Sequence, residues 1–153
     1  MDRGVVEAAE VLDDAMRLDE TVRRVDSIEV DAPTIDFVER ALDRERDAVS
    51  QFFGVALTGR EGTSFLRYRQ GGFYKRHIDC GDVPGWPDAA RRRIAVVVFL
   101  NASFTGGSLR LFSDPPVDIH PAAGSLIAFP ADLPHEVTPV ERGVRDTMVD
   151  WFY

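Results

Sequence analysis

The chain is short of cysteine, of basic residues and of long apolar runs, and each shortage excludes something. A single cysteine, Cys80, leaves no disulfide framework within the chain and suits a reducing compartment, so the cytoplasm is the expected location. The 18 Lys and Arg are outweighed by 26 Asp and Glu, a formal net charge of -8. That balance argues against a nucleic-acid-binding surface, because phosphate contacts need clustered cations. Arg91-Arg92-Arg93 is the one basic run, and its place just ahead of an apolar strand reads as a solvated strand entrance. No apolar stretch approaches the roughly 18 residues that span a bilayer. Met1 leads into an acidic amphipathic segment and not into a basic-then-apolar signal peptide, so no membrane partner is expected. Histidine is scarce as well, with three in 153 residues, which makes the position of each one informative.

A chain of this length is one domain, long enough to bury a core. Val5, Ala8, Ala9, Leu12 and Met16 recur at helical spacing over residues 4–18. Ser27–Val30 reads as a short strand. A second helix follows, capped by Asp31 or Thr34, with Pro33 in its first turn and Gly54 at its end. Its stripe is Val38, Ala41, Leu42, Val49, Phe52 and Phe53. From Thr63 onward the period shortens to that of strands punctuated by Gly, Pro and Asn. Ile94–Leu100 is apolar without a break and reads as a central strand buried on both faces. The expected fold is mainly β, a double-stranded β-helix of the jelly-roll or cupin-like kind with two N-terminal supporting helices. Residues 1–62 form the helical support and residues 63–153 the jelly-roll core of a single domain.

His77 and Asp79 close the stretch Tyr68-Arg69-Gln70-Gly71-Gly72-Phe73-Tyr74-Lys75-Arg76-His77-Ile78-Asp79. On a strand, residues i and i+2 share a face, so the pair can grip one ion. One more imidazole completes a 2-His-1-carboxylate set, which binds non-heme iron(II) and leaves the opposite positions open. His135 is the candidate. Glu141-Arg142-Gly143 reads as a tight hairpin turn, with Gly143 at positive φ. Counting by twos across it, His135, Val137 and Pro139 share a face with Arg145, Thr147, Val149 and Trp151. Arg145 then lies on the His135 side, offset by four residues, roughly 13 Å at a rise of about 3.3 Å. That gap suits a dicarboxylate with one end on the metal and the other on the planar guanidinium fork. Lys75 falls on the same face as His77, which requires either a bulge or a place at the rim. Trp151 reads as core or pocket wall, His120 as an exposed edge residue, and Trp86 in loop 80–90 as part of a substrate lid or of an inert loop.

The blocks Arg67-Tyr68-x-x-Gly71-x-Phe73-x-x-x-His77-x-Asp79, Phe99-Leu100-Asn101, Gly106-Gly107-x-Leu109 and Gly124-x-Leu126-x-x-Phe129 are followed by His135-x-Val137-x-Pro139-Val140-x-x-Gly143-x-Arg145 and Trp151. In that order they strongly resemble the iron(II)- and 2-oxoglutarate-dependent oxygenases, and within them the prolyl 4-hydroxylase-like group. The resemblance implies that His77, Asp79 and His135 ligate iron(II) and that Arg145 binds the 5-carboxylate of 2-oxoglutarate. It implies that Tyr68 donates its phenol to the same co-substrate, and Thr147, on the inward face, adds a hydroxyl there. Iron(II), 2-oxoglutarate and O2 are the implied cofactors and co-substrates, with ascorbate as a supporting reductant. The implied reaction is hydroxylation of an aliphatic C–H bond with release of succinate and CO2. Asp79 favours hydroxylation over halogenation, since halogenases of this type replace the carboxylate with a small residue. The substrate is a small molecule or peptide: a prolyl residue, a free amino acid or a small natural-product intermediate. The alternatives are a non-catalytic sensor that binds iron and 2-oxoglutarate, and an oxidative demethylase, which the negative charge disfavours. The segment ahead of the core is short for this family.

Overall fold

Apolar side chains recur at every second position after residue 63, and short antiparallel strands result. The computed structural model describes residues 6–8, 21–82, 86–120 and 122–153. One sheet runs in the order β1 (Val6–Ala8), β3 (Asp26–Ile28), β4 (Ser64–Tyr68), β13 (Arg145–Phe152), β6 (Ile94–Phe99) and β10 (Leu126–Pro130). The second runs β2 (Arg23–Arg24), β5 (Phe73–His77), β11 (His135–Val137), β8 (Leu109–Leu111) and β9 (Val117–Ile119). A separate pair joins β7 (Phe104–Gly106) to β12 (Val140–Gly143). This is the mainly β, jelly-roll architecture expected from the sequence. The unbroken apolar run became β6, flanked by β13 and β10 and buried along nearly its whole length.

Helix α1 (Ala32–Phe53) starts where Asp31 accepts a hydrogen bond from the Thr34 backbone N–H at 2.8 Å. It ends at Gly54, whose φ of 64° is the left-handed conformation a helix stop needs. Leu42 and Val49 pack with Phe65, Ile94, Val96, Met148 and Phe152 on one face of the first sheet. Their neighbours Leu66, Ala95, Val97 and Phe99 belong to the clusters on the opposite face. Strand alternation thus gives the first sheet a helix side and a cavity side. Phe52 departs from the expected stripe and is 83 % exposed.

Two other expectations need correction. Residues 6–8, inside the span read as a first helix, pair with residues 26–28 as strand β1; the rest of 4–18 lies outside the described residues apart from that segment. The acidic face that suggested a helix does not outweigh a free strand edge on β3. The 141–143 hairpin does not form either. Gly143 does take positive φ, at 85°, but residues 140–143 pair with β7, and the chain passes from the second sheet to the first. A Cβ on Gly143 would lie 2.7 Å from the Ser103 carbonyl, so the glycine serves this close pairing and not a two-strand turn. No helix among the described residues is long and apolar enough to cross a membrane.

A partly buried ion cluster ties the helix to β13. Arg60 reaches Asp150, Glu39 and Asp43, each at 3.0 Å. Asp150 is fully buried and also accepts from the Gly62 and Trp151 backbone N–H groups. Burial pushes the Asp150 carboxyl above its usual range, against the pull of those hydrogen bonds and Arg60. Arg60→Met strands that carboxylate, and the expected destabilisation is about 3–5 kcal/mol by urea unfolding. Because a raised carboxyl pKa means the folded state binds the extra proton, the deficit should shrink as pH falls.

Candidate active site

The register between β5 and β11 carries the first half of the site. His135 stands opposite His77, but Val137 stands opposite Tyr74, so two steps on β11 match three on β5. The extra residue is a β-bulge. It breaks the period of two: Tyr74 and His77 both line the cavity, while Lys75 and Arg76 are exposed. Of the two readings of Lys75, the bulge is the correct one. Tyr74 then stacks on His77 with ring centres 3.5 Å apart.

Asp79 follows just past the end of β5, its N–H held by the Ala131 carbonyl at 2.9 Å. His77 Nε2 lies 3.4 Å from Asp79 Oδ1, and His135 Nε2 lies 3.5 Å from Asp79 Oδ2. One ligand atom from each residue lies within 4.8 Å of the other two. Each imidazole donates its Nδ1 proton to a carbonyl two residues upstream, Lys75 at 2.7 Å and Leu133 at 2.9 Å. That fixes Nδ1 as a donor and turns both Nε2 atoms toward Asp79. Two nitrogens and one carboxylate oxygen converging from one side suit iron(II).

A polar layer lies behind the carboxylate. Trp151 donates its indole N–H to Asp79 Oδ2 at 2.8 Å, so it does more than wall the pocket. Arg92 stacks over the same indole at 3.7 Å, donates to the Asp79 carbonyl at 3.0 Å and grips both Glu61 oxygens at 2.6 Å. The basic run therefore does not read as wholly solvated: Arg92 is 7 % exposed, because Glu61 neutralises it and Trp151 covers its face. Trp151→Phe keeps the aromatic plane and removes the bond to Asp79. The expected result, read by manganese(II) titration, is metal affinity about 10–100-fold weaker.

Arg145 supplies the other end of the cavity. It sits at the start of β13, opposite Tyr68 of β4, and is only 1 % exposed. Its guanidinium centre lies 4.8 Å from the Tyr68 ring and 5.0 Å from the Phe99 ring, and it donates to Thr147 Oγ at 3.2 Å. Its Nε is buried without a hydrogen-bond partner, and among the described residues no carboxylate pairs with it. Burial pulls its pKa down, with Tyr68 opposing. Space for the side chain comes from Gly107, where a Cβ would lie 3.1 Å from Arg145 Cδ. An isolated buried cation is unfavourable unless an anion arrives, and the free edge of this guanidinium fits a carboxylate. His135 and Arg145 thus face each other from two sheets and not along one hairpin, although the inward alternation of Arg145, Thr147, Val149 and Trp151 holds. Tyr68, His77, Asp79, His135, Arg145 and Thr147 all line one cavity of about 680 Å³.

Proton binding opposes metal binding here. Burial works against charge on His135, and the Asp79 carboxylate more than offsets it, so the imidazole pKa lies above its ordinary value. Burial pushes Asp79 up, but hydrogen bonds from the two histidines pull it well below the usual carboxylate range. A metal must displace the His135 proton. Affinity for manganese(II) should therefore fall on acidification through the raised His135 pKa, by about tenfold per pH unit for one proton.

Residues 63–153 match the 2OG-Fe(II) oxygenase superfamily. The chain is 37% identical over 104 residues to a PKHD-type hydroxylase of Acaryochloris marina, covering 65% of this chain and 46% of the relative. To a PKHD-type hydroxylase of Alteromonas mediterranea it is 33% identical over 94 residues, 57% of this chain and 41% of the relative. It spans less than half the length of these curated relatives. Among solved structures it resembles a Pseudomonas putida prolyl-4-hydroxylase, with a TM-score of 0.75 and 31% identity over 96% of this chain and 76% of that one. The fold also matches a Trichoplax adhaerens prolyl hydroxylase solved with a hypoxia inducible factor peptide, at a TM-score of 0.80 and 23% identity over 98% and 71% of the two chains. With the superfamily match running from β4 to the last strand and taking in His77, Asp79, His135 and Arg145, the chain belongs to the 2OG-Fe(II) oxygenase superfamily.

Proposed function

We propose that this protein is an iron(II)- and 2-oxoglutarate-dependent hydroxylase acting on an aliphatic carbon of a small-molecule or peptide substrate. The observation that carries the proposal is the pairing, in one cavity, of the His77–Asp79–His135 cluster with a buried Arg145 that lacks an anion. A metal-chelating dicarboxylate satisfies both ends at once. The donor set and the orphaned guanidinium nitrogen fit iron(II) and 2-oxoglutarate.

In this reading His77, Asp79 and His135 hold the metal on one side, and Arg145, Tyr68 and Thr147 hold the far carboxylate of the co-substrate. When bound, iron and 2-oxoglutarate supply the oxidising power for hydroxylation with O2, and 2-oxoglutarate leaves as succinate and CO2. The chain's own contribution is geometric. The Lys75 and Leu133 carbonyls orient the imidazoles, and Trp151 fixes one oxygen of Asp79. Leu66, Val97, Leu109 and Val137 give the cavity apolar walls that limit water around the reacting carbon. Trp86, hydrogen-bonded to Glu61 at 3.3 Å, lines the same cavity from loop 80–90 and is placed to contact substrate. The names of the similar hydroxylases make a prolyl ring the first substrate class to test.

The test is succinate formation from 2-oxoglutarate in air, with iron(II) and ascorbate, against a chelator control. Metal-dependent succinate supports the hydroxylase, and a product heavier by one oxygen then identifies the substrate. Binding of 2-oxoglutarate without turnover under any substrate would indicate a sensor instead. Neither binding nor turnover would overturn the proposal.

A further inference from the structure

Among the described residues, four buried side-chain polar atoms have no hydrogen-bond partner: Arg23 Nε, Arg46 Nε, Thr63 Oγ and Arg145 Nε. Three of these residues, all but Arg46, line the one cavity that holds the His-Asp-His cluster. Such atoms are uncommon in native proteins, and each asks for a ligand or a reason. Arg145 is accounted for by the distal carboxylate of the co-substrate. Arg23 is not.

Arg23 belongs to β2, the edge strand of the second sheet, and stands opposite Tyr74 of β5. Its guanidinium hydrogen-bonds the Tyr74 phenol, its centre 5.0 Å from the centre of the ring that stacks on His77, and its Nε is left unpartnered. One aromatic side chain therefore separates this cation from a metal ligand. Its charge acts inside the cavity: burial pushes the Tyr68 phenol up, and Arg145 and then Arg23 pull against it. The cavity's carboxylates are all committed elsewhere. Glu61 is held by Arg92, Asp88 lies 3.5 Å from Arg91, and Asp79 faces the two histidines. No carboxylate among the described residues pairs with Arg23. The two arginines reach the cavity from opposite sheets, so one is placed for the co-substrate and the other for a second anion.

Resting on the hydroxylase reading above, we propose that Arg23 binds a carboxylate of the substrate, so that the preferred substrate is a small carboxylic acid such as a free amino acid. Arginine presents two parallel N–H donors to a carboxylate, which positions as well as attracts it. A carboxylate anchored there sets which carbon is turned toward the metal end. Arg23 is thus a specificity-determining residue.

The experiment uses the full chain with manganese(II) in place of iron and saturating 2-oxoglutarate. Free L-amino acids, L-proline among them, are titrated in parallel with their carboxamides, and binding is read calorimetrically. The expected result is at least one free acid that binds about tenfold or more tightly than its amide, the worth of one charge-assisted hydrogen bond. Arg23→Gln should erase that difference and Arg23→Lys should keep part of it, while the affinity of both for 2-oxoglutarate stays near wild type and shows that they fold. The inference is overturned if no acid is preferred over its amide, or if the preference survives in Arg23→Gln. It is equally overturned if Arg23→Gln loses 2-oxoglutarate, since Arg23 would then serve the co-substrate. A wild-type protein that fails to bind 2-oxoglutarate at all would overturn the hydroxylase reading first, and this inference with it.

Discussion

Asp79→Ala is expected to abolish metal-dependent turnover of 2-oxoglutarate while leaving the jelly roll folded. The carboxylate is the one anionic donor in the cluster, so its loss leaves two neutral imidazoles to hold a divalent cation. Removing an outer partner of a metal ligand already weakens binding about 10–100-fold, and loss of the ligand itself should exceed that. The structural effect is smaller. Alanine leaves the Trp151 indole N–H without its acceptor, which costs about 1–3 kcal/mol. It also removes a desolvated charge that burial alone disfavours. A thermal melt, a manganese(II) titration and a succinate assay on the same preparation separate these effects. A variant that melts near wild type but binds no metal is the expected result. One that keeps wild-type metal affinity would show that Asp79 is not a ligand.

Arg145→Met is expected to move stability and function in opposite directions. The wild-type guanidinium is buried, reaches only the hydroxyls of Thr147 and Tyr68 and leaves its Nε unpaired. Methionine fills much of the same volume without a charge. Replacing buried ionic groups with apolar ones of similar size is often stabilising by about 1–4 kcal/mol, so the co-substrate-free variant should melt higher than wild type. Binding of 2-oxoglutarate should fall by about a hundredfold, the worth of a bidentate, charge-assisted pair. Saturating 2-oxoglutarate should then raise the melting temperature of wild type and hardly move that of the variant. A variant that is less stable than wild type and still binds 2-oxoglutarate normally would show that Arg145 is a structural residue.

Much of the cavity was legible because strands alternate. Arg145, Thr147, Val149 and Trp151 face inward as a count by twos requires, and this survives even though their partner strands were misassigned. The hairpin at 141–143 was misread because a positive-φ glycine between two β segments looks the same whether the chain folds back or crosses to another sheet. The glycines at 106 and 107, where a side chain would collide with Pro139, Val140 and Arg145, were the sequence trace of that crossing. Tyr74 escaped for the opposite reason. It lies three residues before His77, out of phase with any strand, and only the bulge in β5 brings both inward. Arg92 was hidden inside a basic run that looks solvated until Glu61 and Trp151 are seen to close around it. Arg23 carried no signal at all, since nothing local marks an edge-strand arginine as facing a cavity built mostly by residues far along the chain.

The most direct test of the paired ends of this cavity is an anaerobic titration of 2-oxoglutarate into the iron(II)-loaded protein, followed by the visible absorption that appears when a 2-oxo acid chelates iron(II). The expected result is a saturable band at one equivalent that requires iron and that Arg145→Met shifts to far higher 2-oxoglutarate concentrations. Absence of the band in wild type, with no 2-oxoglutarate bound, would contradict the assignment of His77, Asp79, His135 and Arg145 to one metal and co-substrate site.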